Sequence, residues 1–104
     1  MDRMEQLREL LNQSPKDSFL RHALALEQEK AGALQTAIRT FEELLADDPA
    51  YVGSYYQLGR LLEKIGQPDQ AIACYENGLM YARKAGEKRA QNELQSALDE
   101  LLYD

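Results

Sequence analysis

His22 is the only histidine in the chain and Cys74 the only cysteine. These two side chains have the most chemistry to offer. A metal site would need further ligands at ligand spacing, but His22 has no Cys-x2-Cys, no His-x3-His and no acidic cluster beside it. A nucleophilic triad needs a Ser or Cys, a His and an acid converging on one pocket. The pattern described below places His22 and Cys74 on different helices of different hairpins. The six glycines are scattered, mostly where helices should end, so there is no glycine-rich phosphate loop. The residues therefore assign no catalytic group, no metal and no cofactor, and the chain reads as a non-enzyme. A basic cluster of Arg83, Lys84, Lys88 and Arg89 suits a solvated helix end and turn; its sharper reading is a docking patch for an acidic partner.

Composition narrows the class further. At 104 residues the chain suits one domain with a modest core. A net charge of −6 argues against a general nucleic-acid binder, which needs clustered Lys and Arg for phosphate contacts. One thiol cannot close an internal disulfide, so the fold does not depend on oxidation. The N-terminal Met-Asp-Arg-Met-Glu-Gln-Leu-Arg-Glu-Leu is too charged for a signal peptide. No run approaches the roughly 18 apolar residues of a membrane span. The expected setting is a reducing cytoplasm, without membrane or nucleic acid as partner.

The elements that position these residues follow from a repeat. Pro15 and Pro49, Leu24 and Leu58, Gly32 and Gly66, Ala37 and Ala71, and Phe41 and Tyr75 are each 34 apart. A fixed period of that size marks a helical array. Six helices are expected. The first covers residues 2 to about 13, with Met4, Leu7, Leu10 and Leu11 on its apolar face. The second runs from an N-cap at Asp17 or Ser18 to about Ala31, and Gly32 stops it in a left-handed conformation. The third spans about Leu34 to Ala46, burying Ala37, Ile38, Phe41, Leu44 and Leu45. The fourth covers roughly 50 to 65, with Pro49 in its first turn. The fifth runs from Pro68 to about Ala85, where Gly86 stops it; Met80 is read as a core filler. The sixth, about Glu87 to Leu102, should bury Ala90, Leu94, Ala97, Leu98, Leu101 and Leu102. Tyr55 and Tyr75 are read as packing residues with hydroxyls near the surface. Loops of a few residues make consecutive helices antiparallel neighbours.

The second repeat reads Tyr55-x2-Leu58-Gly59-x2-Leu62, then Ala71-x3-Tyr75. The first reads Arg21-x2-Leu24-Ala25-x2-Gln28, then Ala37-x3-Phe41, then Pro49. This pattern resembles the tetratricopeptide repeat family over about residues 15 to 83. Arg21 and Gln28 stand where the family usually has aromatics, Leu44 and Gly78 where it usually has Ala, and Arg83 replaces the closing Pro. The resemblance implies an all-α fold: a right-handed stack of antiparallel helix hairpins in a single domain. Residues 1–14 would be an N-terminal helix, 15–48 and 49–83 the two repeats, and 84–104 a capping helix that solvates the end of the array.

In this family the first helix of each hairpin lines a concave surface. That implies a face carrying Phe19, His22 and Leu26 from one repeat and Tyr56, Arg60 and Lys64 from the next, with Glu29 and Glu63 nearby. A Lys and an Asn that grip a C-terminal carboxylate in one subfamily are replaced here by His22 and Leu26, so that clamp is absent. The implied function is a protein interaction module that holds a peptide or helix of another protein in its groove, with the ligand's charge open. The alternative is a structural or self-associating protein, a homodimer included, with no separate peptide ligand.

Overall fold

The computed structural model describes residues 2–103. Its elements are α1 (Arg3–Gln13), α2 (Ser18–Lys30), α3 (Leu34–Asp47), α4 (Gly53–Lys64), α5 (Pro68–Ala85) and α6 (Lys88–Tyr103), with no strand among the described residues. They fall into two compact units, Met1–Asp48 and Pro49–Asp104.

In the first unit α2 packs on both α1 and α3. Side-chain caps start the first two helices. The Asp2 carboxylate accepts from the Glu5 N–H at 2.8 Å, and Asp17 accepts from the Leu20 N–H at 2.9 Å. Each thereby satisfies an amide that the helix itself leaves without a partner. α2 ends at Gly32, φ +83°, where the N–H of Ala33 reaches back to the Gln28 carbonyl at 3.0 Å. Positive φ costs glycine nothing. The core consists of Leu7, Leu24, Ala25, Ala37, Ile38, Phe41, Leu44 and Leu45. Ala25 and Ala37 are fully buried, which lets the α2 and α3 axes approach, and Phe41 fills the space one turn further on. α1 packs mainly on α2 within its unit, so a narrow stripe is covered. Leu7 is buried and Met4 and Leu11 are half-buried, but Leu10, expected on the same face, is 49% exposed.

The second unit repeats the hairpin as α4 and α5, and α6 packs on both. Its core comprises Val52, Tyr55, Leu58, Leu61, Leu62, Ala71, Cys74, Tyr75, Leu79, Ala82, Leu94 and Leu98. α4 begins later than the sequence suggests. In a helix running from Pro49, that residue's carbonyl would accept from a backbone N–H one turn on; here it accepts from the Tyr55 hydroxyl at 2.6 Å. Pro49 and Ala50 therefore form a turn, and the helix starts at Gly53. α5 runs to Ala85 and stops at Gly86, φ +70°, as its glycine implied.

Two apolar residues expected in this core lie outside it. Met80 is 42% exposed and Leu102 46% exposed. Each follows a residue that faces the packing seam, buried Leu79 and half-buried Leu101, and one residue of α-helix rotates a side chain by about 100°. Cys74 is buried, and its thiol donates to the Tyr55 carbonyl at 3.3 Å.

Candidate functional site

Each aromatic at the centre of a hairpin carries a ring from the first helix of that hairpin. In the first unit His22 of α2 meets Phe41 edge-on, with centroids 5.4 Å apart. In the second, Tyr56 of α4 tilts against Tyr75, with centroids 6.4 Å apart. The 34-residue period relates His22 to Tyr56 and Phe41 to Tyr75, so the contact is one device used twice. Burial pushes the His22 imidazole below its ordinary pKa. On the same helix Leu26 is half-buried and Phe19 is 66% exposed.

In the second unit α4 and α6 flank a groove of about 580 Å³. Its α4 wall carries Tyr56, Arg60, Glu63 and Lys64, and Tyr75 of α5 lies at its base. Arg60 sits 6.0 Å from the centroid of the Tyr56 ring, within cation–π range. The Tyr75 ring is fully buried and its hydroxyl donates to the Glu63 carboxylate, while Tyr55 donates to Pro49. The two phenol groups are thus tied down inside the unit rather than left at the surface. Burial, and then the Glu63 carboxylate, push the Tyr75 phenol well above its ordinary value. The bond holds Glu63 in place, so the base of the groove is pre-formed.

Tyr56, Arg60 and Lys64 thus share one groove, while Phe19, His22 and Leu26 lie on α2 of the other unit. The facing wall is what sequence reasoning missed. Asn92, Glu93, Ser96, Ala97 and Glu100 come from α6, for which the family resemblance implies only a capping role. Polar residues at 92/93, 96 and 100, spaced by three and four around a helix whose buried residues are Leu94 and Leu98, were the available signal. Among the described residues no group of three or more His, Cys, Asp or Glu side chains could hold a metal ion, and no helix is long and apolar enough to cross a membrane.

A family model described as Tetratricopeptide repeat matches residues 29–98, more than half of the chain. The chain belongs to the tetratricopeptide repeat family. No curated protein matches it. Among solved structures, a tetratricopeptide repeat domain protein from Salinibacter ruber is 42% identical, with a TM-score of 0.79 over 82% of this chain and 94% of that one. A protein from Bordetella parapertussis is 27% identical, with a TM-score of 0.82 over 97% of this chain and 88% of that one. MamA, 18% identical with a TM-score of 0.68 over 95% of this chain and 64% of that one, shares the fold. Tetratricopeptide repeats are in general non-enzymatic scaffolds that bind other proteins.

Proposed function

We propose that this tetratricopeptide repeat protein is an interaction module, and that the groove of its Pro49–Asp104 unit holds a peptide or helix segment of a partner protein. The observation that carries this reading is the groove itself: Tyr56 stands on its wall, over the buried Tyr75, between two helices whose facing side chains are polar and charged. Aromatic and Arg side chains are the usual anchors of interfaces, and Tyr56 and Arg60 stand together here. Lys64 extends the same wall. In the Met1–Asp48 unit the α2 face with Phe19, His22 and Leu26 offers contact area of its own. The site is small, so affinity should be about micromolar. A cytoplasmic setting goes with this reading, since the fold uses no disulfide and its one thiol is buried.

The test is chemical-shift mapping with a partner captured by pull-down. Shifts at Tyr56, Arg60 and Lys64, and at least tenfold weaker binding by a Tyr56→Ala, Arg60→Glu variant, are expected. Shifts confined to Glu42 and Glu76 would overturn the reading, as would full binding by a Leu26→Asp, Tyr56→Ala, Arg60→Glu variant. Light scattering that shows a tight dimer with the groove buried would replace it with self-association.

A further inference from the structure

The charges in this groove are unequally committed. On the α4 wall Arg60 donates to the Gln57 carboxamide oxygen at 3.0 Å, Lys64 is engaged within the chain, and Glu63 accepts from Tyr75. On the α6 wall Glu93 and Glu100 make no hydrogen bond or ion pair among the described residues. Arg60, Lys64 and Glu63 keep their charges on the α4 wall, whereas the α6 wall carries carboxylates alone, so negative charge is what that wall presents to a ligand. The two carboxylates are seven residues apart on one face of α6, about 10 Å along its axis. Ser96 and Ala97 between them are small, which leaves space for side-chain stems.

We infer that the occupant is a basic peptide segment of a partner protein. Two of its Lys or Arg side chains meet Glu93 and Glu100 while their aliphatic stems lie against the Tyr56 ring. The inference rests on the groove reading above and adds the ligand's chemistry. Cations about 10 Å apart lie seven residues apart on one face of a helix. Contact of a stem with the ring adds buried apolar area to what exposed ion pairs alone would give. The chain's net charge of −6 favours the approach of such a segment.

The probe is a synthetic amphipathic lysine–leucine peptide with lysines seven apart, titrated into the whole chain by NMR beside its glutamate–leucine counterpart. The lysine peptide should bind and shift Tyr56, Ser96 and Ala97. Glu93→Gln with Glu100→Gln should weaken it on the order of tenfold. Glu42→Gln with Glu43→Gln removes the same charge from exposed positions of α3 and should change affinity by less than about twofold. Equal weakening by the two pairs would overturn the inference, since only overall charge would then be at work. Stronger shifts of the same groove residues by the glutamate peptide would overturn the ligand's charge and leave the groove reading standing. Shifts outside the groove with either peptide would overturn both.

Discussion

Gly59 has no side chain because Tyr75 occupies the place one would take. A Cβ there would lie 2.1 Å from Cε1 of Tyr75. The phenol is held by Glu63, so the ring cannot swing aside without losing that bond. Gly59→Ala should destabilise the protein by about 1–3 kcal/mol, measured by urea unfolding. Gly78 plays the reciprocal part, since a Cβ there would lie 2.6 Å from Cβ of Tyr55. The Tyr75–Glu63 bond also has a pH signature. The folded-state phenol pKa is raised, so above the ordinary pKa of about 10 the unfolded chain gives up this proton first and stability falls as pH rises. Tyr75→Phe should cost about 1–2 kcal/mol at neutral pH. It should also lose less stability than the parent between about pH 9 and 11, and parallel profiles would refute the assignment. His22 has the opposite sign. Burial lowers its folded pKa, so its contribution is present above the ordinary pKa of 6.5 and is lost as pH falls below it.

At the scale of elements, glycine and proline punctuation with apolar spacing made most helix boundaries legible. Gly32, Gly66 and Gly86 all have positive φ, and Pro68 opens α5. The start of α4 was not legible, because it depends on a Tyr55 hydroxyl reaching back to a carbonyl six residues earlier. The groove was half legible. Its α4 wall was implied by the family resemblance; its α6 wall depended on which face of the last helix meets α4, and periodicity within α6 does not name a neighbour. Leu10, Met80 and Leu102 were misplaced for a related reason: spacing says that a residue is near an apolar stripe, not how wide a stripe the neighbours cover. The hairpin seam was legible, and Phe41 tests it. Its ring is fully buried, so Phe41→Ala should cost about 3–5 kcal/mol and lower the melting temperature by well over 10 °C. An unchanged melting temperature would mean that the α2–α3 seam is wrongly assigned.

Across the whole molecule, the two hairpins share a backbone plan but use different chemistry at matched places. Arg21 pairs with Asp47 at 3.0 Å, where the second hairpin stacks Tyr55 on Tyr81 with centroids 5.9 Å apart. Thr40 donates to the buried Gln28 at 2.7 Å, where the second buries Leu62 and Cys74. Ser18 donates to Asp48 at 2.6 Å, where the second buries Val52 and Ala82. The departures from the family pattern at Arg21 and Gln28 are thus each answered by a partner on the opposite helix. This pairing bears on how such a chain can be recombined. A crossover at the glycine turns would join α2 to α5 and separate every one of these partners, setting Arg21 against Tyr81 and Gln28 against Cys74. A crossover at the prolines would carry each pair across intact. Exchange of repeats should therefore be tolerated with breakpoints near Pro15 and Pro49 and should cost stability at Gly32 and Gly66, so the exchangeable unit is the hairpin and not the helix.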